Sequence, residues 1–123
     1  MEENGEAQGQ GRKEQSERGT NGPGAKAQAA VWALTAGGAE LGEKIARGLG
    51  FELFLPERLS GPGPGFSSLK DALSERFGDF RAHVIVAATG LVVRIIAPLI
   101  KDKKTDPAVV TLGQDGRFAV SLL

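Results

Sequence analysis

The sequence predicts an α/β domain in which a mainly parallel sheet lies between two layers of helices. Short apolar runs, rich in β-branched residues and typical of strands buried on both faces, alternate with segments whose apolar residues recur every three or four positions. Strands that alternate with helices pair in parallel through right-handed crossovers. The expected element order is βαβαβαββ, and the flavodoxin-like strand order 2-1-3-4, with strand 5 as an antiparallel edge, fits it best.

Turn and cap residues set the limits of these elements. The predicted segments, in order, are strand 29–35, helix 39–49, strand 51–55, loop 57–65, a helix from Ser67 or Ser68 to Phe77, strand 83–87, helix 90–100, strand 108–112, turn 113–116 and strand 117–123. In the first helix Leu41, Ile45 and Leu49 form an apolar face, and Gly50 occupies the C′ position. Asp106-Pro107 separates the third helix from the fourth strand.

The second and third helices differ in their apolar pattern. Leu69, Leu73 and Phe77 give the second helix a narrow stripe, and Gly78 should end it. The third helix is apolar nearly all round, which predicts burial, with Thr89 as its N-cap. Pro98 should bend its last turn.

Composition limits both the fold and the function. Residues 1–28 are rich in Gly, Gln and Glu, so we expect a disordered tail before a folded domain at 29–123. A net charge of zero does not favour nucleic acid as a partner, and the absence of cysteine with a single histidine disfavours a metal site. The N-terminus has no apolar leader, which predicts a cytoplasmic protein. Arg94 in the longest apolar run argues against a membrane span.

A ligand site is expected where the strand order reverses, at the carboxyl ends of strands 1 and 3. The turns at 35–38 and 88–90 would present helix N-termini to an anion, with Thr35, Gly37, Gly38, Thr89 and Gly90 as candidate binding residues. Ordinary helix capping is the alternative for these residues. Neither a Gly-x-Gly-x-x-Gly motif nor a P-loop is present in the two turns.

The polar residues in the longest apolar run, 82–100, and in the loop after it suggest further roles. Arg94 could reach the same crevice and bind a carboxylate, or it could form a buried pair with an acid. His83 should begin strand 3 at the amino edge, as a rim residue. The loop 101–106 should lie at that edge too, either as a solvated loop or as a positive field for a polyanion.

Three blocks of this region resemble a known family. They are GLVVRIIAP at 90–98, DKKTDPAVV at 102–110 and GRFAVSLL at 116–123, preceded by Leu34-Thr35 and Gly38-Ala39-Glu40-Leu41. From about Val31 to Leu123 the sequence is similar to the N-terminal domain of the cobalamin-biosynthesis CbiG family, the cobalt-precorrin-5A hydrolases. The resemblance implies an anaerobic corrin-pathway enzyme that opens the δ-lactone of cobalt-precorrin-5A, releases acetaldehyde and yields cobalt-precorrin-5B.

The resemblance also implies an anionic cobalt-tetrapyrrole partner, whose cobalt belongs to the substrate, so that no separate cofactor is expected. The resemblance further implies that Asp102 and Asp106 bind the substrate, together with Arg94 and the candidate residues named above. In the family the last strand continues into a Ser-Gly-His-x-Gly-Gly-Ala-Asn motif, whereas this sequence stops at Leu123, so no catalytic residue is assigned. The alternative is a non-catalytic or anion-binding module that docks through strand 5 onto the rest of the hydrolase or onto another corrin-pathway enzyme.

Overall fold

Strands and helices alternate along the part of the chain that the computed structural model describes, residues 27–61 and 65–123. In chain order they are β1 (Ala27–Ala33), α1 (Ala36–Leu49), β2 (Glu52–Phe54), α2 (Leu69–Arg76), β3 (Phe80–Val86), α3 (Thr89–Ile96), β4 (Ala108–Leu112) and β5 (Ala119–Ser121). Short 3-10 turns occupy Glu57–Leu59, Phe77–Asp79 and Ala97–Leu99. Residues 1–26 of the predicted tail 1–28 lie outside the described residues, and Ala27 and Gln28 belong to β1.

The sheet has the predicted topology. Its strand order is β2-β1-β3-β4-β5, and β1, β2, β3 and β4 pair in parallel. The hairpin at residues 113–118 returns the chain antiparallel, so that Leu112 pairs with Ala119. This confirms the α/β class and the 2-1-3-4 order with an antiparallel fifth strand at the edge.

Two helices cover one face of the sheet and form the main core. The side chains of α2 and α3 that are buried there include the predicted stripe of α2. Trp32 is fully buried beneath them, and its ring stacks on Phe54 with centroids 4.4 Å apart. Burial of such a large aromatic side chain stabilises the fold by roughly 1.5–3 kcal/mol relative to exposure. The cluster comprises Ala30, Trp32, Leu69, Leu73, Phe77, Phe80, Ile85, Val92, Ile95, Ile96 and Val109.

The first helix packs on the other face through small residues, which corrects the predicted apolar face. Gly38, Gly42 and Ala46 are its buried residues, whereas Leu49 is 63% exposed. A Cβ added at Gly42 would lie 3.4 Å from Val31 Cγ1, so the backbone of α1 approaches the sheet closely. The leucine and isoleucine stripe therefore flanks the contact instead of forming it.

The third helix is only half buried, so the prediction of complete burial is wrong. Val92, Ile95 and Ile96 face the sheet, but Leu91 and Val93 are 37% and 43% exposed. Helix α1 lies on one face of the sheet and α2 and α3 lie on the other, and no further element of the described residues covers the outer side of α3. The predicted bend is confirmed, because the α-helix ends at Ile96 and the next turn is 3-10.

Several predicted boundaries shift by a few residues. Strand β1 begins at Ala27, two residues early, and α1 begins at Ala36 because Thr35 caps it. Strand β3 begins at Phe80, which places His83 in the middle of the strand and in the core, not at the rim. Strands β2 and β5 are shorter than predicted. Among the described helices, none has the length and apolar character that a membrane span requires.

Candidate functional site

Two helices begin side by side at the carboxyl edge of the sheet. Strands β1 and β3 are parallel neighbours, with Ala33 paired to Val86 in the last register position. Each strand is followed within three residues by a helix, α1 after β1 and α3 after β3. The N-termini of both helices therefore lie at the point where the strand order reverses, which is where sequence analysis expected a ligand.

Thr35 organises the first of these turns. Its Oγ1 accepts a hydrogen bond from Gly38 N at 3.0 Å and donates one to Gln114 Oε1 at 2.8 Å. Gln114 comes from the β4–β5 hairpin, and a Cβ added at Gly37 would lie 3.4 Å from its side-chain amide carbon. Gln114 thus borders the candidate site. Sequence analysis missed it because only the fold of the hairpin brings it to this turn.

The second turn differs from its prediction. Thr89 is the first residue of α3 and not its N-cap; the cap is Ala88, which offers no side-chain hydrogen bond. Thr89 Oγ1 instead shares a hydrogen bond with Thr111 Oγ1 at 3.1 Å, because Thr111 of β4 is buried beside it. The predicted capping role of Thr89 is therefore wrong, and no side chain caps the start of α3.

The electrostatics of this edge favour an anion. Neither α1 nor α3 carries an acidic residue in its first turn. The unpaired N–H groups and the aligned peptide dipoles leave about half a positive charge at each N-terminus. Since the two helices start on adjacent strands, a ligand with several carboxylates could contact both.

Arg94 lies away from this edge. Its residue is exposed on the side of α3 opposite the buried Val92 and Ile96. It forms no ion pair or hydrogen bond with any residue that the structure describes. The alternative of a buried pair with an acid is therefore wrong.

The two aspartates implied by the resemblance lie at the opposite edge of the sheet. Asp106 Oδ2 accepts hydrogen bonds from the backbone N–H groups of Lys101 and Asp102, at 2.8 and 3.0 Å, and Asp102 Oδ1 accepts one from Lys104 N at 2.9 Å. These bonds hold the loop before β4. The five residues of β4 separate this loop from the carboxyl edge by about 16 Å at ~3.3 Å per residue. One compact ligand site cannot include both these aspartates and the helix N-termini at the carboxyl edge.

A shallow depression lies on the other side of α1. It encloses about 480 Å³ between α1 and the segment after β2, and its residues are Ala36, Gly37, Ala39, Glu40, Glu43, Leu55 and Leu59. Two glutamates line it, so it is less suited to an anion than the edge between α1 and α3. Among the described residues no group of three metal-binding side chains comes together.

The only histidine belongs to the core. His83 Nδ1 accepts a hydrogen bond from Trp32 Nε1 at 3.0 Å, so Nε2 carries the proton and donates to Phe77 O at 2.9 Å. Burial lowers the pKa of His83 below its ordinary value of 6.5, more than the Phe77 carbonyl and Asp79 raise it. A neutral, solvent-excluded imidazole whose two nitrogens are both occupied cannot act as a catalytic base here.

Comparison with known proteins relates part of this domain to a known family. Residues 71–123, from α2 through β5, match a family model described as cobalamin synthesis G N-terminal. The resemblance found in the sequence is thereby confirmed, and the matched part contains the α3 turn of the candidate site as well as the aspartate loop.

Two relatives are similar to this chain, and both are named as cobalt-precorrin-5A hydrolases. The chain is 35% identical over 96 residues to a cobalt-precorrin-5A hydrolase of Salmonella typhimurium, covering 76% of this chain and 27% of that protein. It is 43% identical over 56 residues to a cobalt-precorrin-5A hydrolase of Priestia megaterium, covering 46% of this chain and 15% of that protein. The chain thus spans about a quarter or less of the length of these relatives.

A solved structure shares the fold of this domain. The crystal structure of a cobalamin biosynthesis protein G homolog from Sulfolobus solfataricus aligns with a TM-score of 0.58 and 17% identity. The alignment covers 78% of this chain and 29% of the other. At this identity the likeness establishes the α/β architecture alone.

Proposed function

We propose that this chain supplies part of the substrate-binding surface of a cobalt-precorrin-5A hydrolase in anaerobic cobalamin biosynthesis. The reaction would be the opening of the δ-lactone of cobalt-precorrin-5A by water, with release of acetaldehyde and formation of cobalt-precorrin-5B. The two relatives named for this activity support the proposal. Because the chain corresponds to a minor part of each relative, the proposal concerns binding and assigns no catalytic residue.

The observation that carries the proposal is the pair of adjacent helix N-termini. Neither helix has an acidic residue in its first turn, and α3 has no side-chain cap among the described residues. The substrate is a macrocycle fringed with carboxylates, and each carboxylate gains about 0.3–1 kcal/mol at a helix N-terminus. Thr35 and Gly37 would contact it from α1, and Thr89 and Gly90 from α3. The predicted Gly38 is not part of this surface, because it is buried and its N–H donates to Thr35 Oγ1. The proposed surface does not include Asp102 and Asp106, whose carboxylates accept backbone hydrogen bonds in the loop at the opposite edge.

A charge placed at Gly90 tests this site. A Cβ at Gly90 meets no atom within 4 Å, and an acid in the first turn of a helix favours the helix, so Gly90→Asp should fold normally. We expect the full chain to bind cobalt-precorrin-5A, seen as a change in its visible absorption, and we expect Gly90→Asp to bind about tenfold more weakly. Local repulsion between the new carboxylate and the substrate is the reason.

Gly48→Asp is the matched control, since Gly48 is equally open but lies near the other end of α1. It should bind like the unaltered chain. Equal weakening by both variants would indicate a general charge effect and would contradict the proposed site. Absence of any spectral change with the unaltered chain, at protein concentrations up to the millimolar range, would contradict substrate binding by this chain.

A non-catalytic docking module is the second candidate. It is favoured by the exposed edge strand β5, whose three residues are all exposed, next to Phe118 at 57% exposure. Unpaired edge strands readily accept another chain. In this function the domain would bind the remaining part of the hydrolase and leave substrate binding to it.

A further inference from the structure

One half of the α1 face of the sheet is apolar, and no helix of the described residues 27–61 and 65–123 covers it. Along β4 the burial alternates: Val109 and Thr111 are fully buried against the α2–α3 layer, whereas Val110 and Leu112 on the other face are only half buried. On β3, Ile85 is fully buried and Val84 on the other face is half buried, whereas Val86 at the end of that face is buried next to α1. The strands are thus covered on one face and partly open on the other.

The apolar stripe of α1 forms one wall of this open region. Leu41 points towards the β4–β5 hairpin, since a Cβ added at Gly116 would lie 3.9 Å from both of its methyl carbons. Ile45 and Leu49 follow one and two turns later on the same side, and exposure rises to 63% at Leu49. We call this region the β4 groove. Its wall is Leu41, Ile45 and Leu49, and its floor is Val84, Val110 and Leu112.

The dimensions of the groove match one more helix. Neighbouring strands lie about 4.8 Å apart, so the width from β3 to β5 is about 10 Å, the diameter of an α-helix with its side chains. The opposite face carries two helices, α2 and α3, which contact each other. A helix beside α1 would complete the same two-helix layer on this face.

We propose that the β4 groove binds an amphipathic helix from the remaining part of the cobalt-precorrin-5A hydrolase, an inference that rests on the proposed function. The aligned part makes up 27% of the Salmonella relative and 29% of the Sulfolobus structure, so most of each larger protein lies outside this domain. The segment 1–26 of this chain offers only Met1, Ala7 and Ala25 as apolar residues and cannot supply a stripe at helical spacing.

A charged side chain in the wall of the β4 groove should weaken the binding of this helix. The full chain is co-expressed with the Salmonella hydrolase from which the aligned portion has been removed, and complex formation is measured by affinity capture and size-exclusion chromatography. We expect a complex with the unaltered chain and at least about tenfold weaker association for Ile45→Arg and Leu49→Lys, because each cation would be desolvated against apolar side chains. Leu49 is already exposed, so Leu49→Lys should leave the isolated chain folded.

Val93→Lys is the matched control, since Val93 is an exposed apolar residue on the outer side of α3. It should associate like the unaltered chain. No complex with the unaltered chain, or a complex equally tight for the groove variants, would overturn the proposal. A concentration-dependent dimer of the chain alone that Leu49→Lys dissociates would assign the groove to a second copy, and would overturn it as well. The absorption titration of the same variants reports substrate binding separately, so either proposal can fail while the other holds.

Discussion

At the scale of single residues, His83 shows how burial changes the chemistry of a group. It lies between Trp32 and the Phe77 carbonyl, and its ring stacks on the Phe77 ring with an interplanar angle of 6°. Both ring nitrogens are satisfied only in the neutral form, since protonation of Nδ1 would place its N–H against the indole N–H. The residue therefore supports the core.

The pH dependence of stability follows from this arrangement. The pKa of His83 in the folded chain is below 6.5, so the unfolded chain binds the proton more tightly. The contribution of neutral His83 to the free energy of unfolding should be fully present above pH 6.5. It should decrease as the pH falls from 6.5 to the folded-state pKa. The slope cannot exceed about 1.4 kcal/mol per pH unit for one proton.

Urea unfolding at pH 7.5, 6.5 and 5.5 measures this effect. The variant His83→Gln keeps one donor and one acceptor but does not titrate, so its stability should change much less over the same range. A wild-type stability that is flat from pH 7.5 to 5.5, or a slope that persists in the variant, would show that His83 does not control the response.

At the scale of elements, α1 combines tight and open positions along one helix. Gly38 and Gly42 lie against the sheet, where a Cβ would come within 3.2 to 3.4 Å of neighbouring side chains. Gly48 meets nothing within 4 Å, and Gly50 ends the helix with φ of 72°. Glycine therefore allows close packing at Gly38 and Gly42 and the left-handed conformation at Gly50. Gly48 has neither requirement.

Two alanine substitutions should have opposite effects on α1. Gly48→Ala should stabilise the chain by about 0.5–1 kcal/mol, because alanine restricts the unfolded chain and favours the helix. Gly50→Ala should destabilise it by about 1 kcal/mol, since a Cβ disfavours the left-handed conformation. Thermal unfolding followed by circular dichroism compares the two. If both variants shifted the midpoint in the same direction, the assignment of the helix end would be wrong.

At the scale of the whole molecule, one core joins both ends of the described chain. The cluster around Trp32 includes residues of β1, α2, β3, α3 and β4. Trp32 is the only tryptophan of the sequence and lies at the centre of this cluster. We expect unfolding to be a single cooperative event.

Two probes of different kinds test this cooperativity. Trp32 fluorescence follows the core, and far-ultraviolet circular dichroism follows the helices, including α1 on the other face. Their urea transitions should coincide, and the emission of the folded chain should be blue-shifted because the indole is excluded from water. A separate earlier transition by circular dichroism would show that α1 unfolds independently.

Several features of the domain were determined by the sequence alone. The alternation of apolar runs with helical periodicity predicts the strand and helix order, and the helices that connect the first four strands favour parallel pairing. The same order places the turns after β1 and β3 at one edge. These features depend on local periods of two and 3.6 residues and on chain connectivity, which a linear sequence carries directly.

Other features were decided only by the tertiary structure. The partner of His83 is Trp32, 51 residues away, and that of Thr35 is Gln114, 79 residues away. Likewise, Thr111 rather than the backbone takes the hydroxyl of Thr89. The buried face of α1 and the open β4 groove depend in the same way on which segments cover each face of the sheet. Periodicity shows that a residue can be buried, but burial and hydrogen bonding require a second surface, and its position is set by packing between segments distant in the chain.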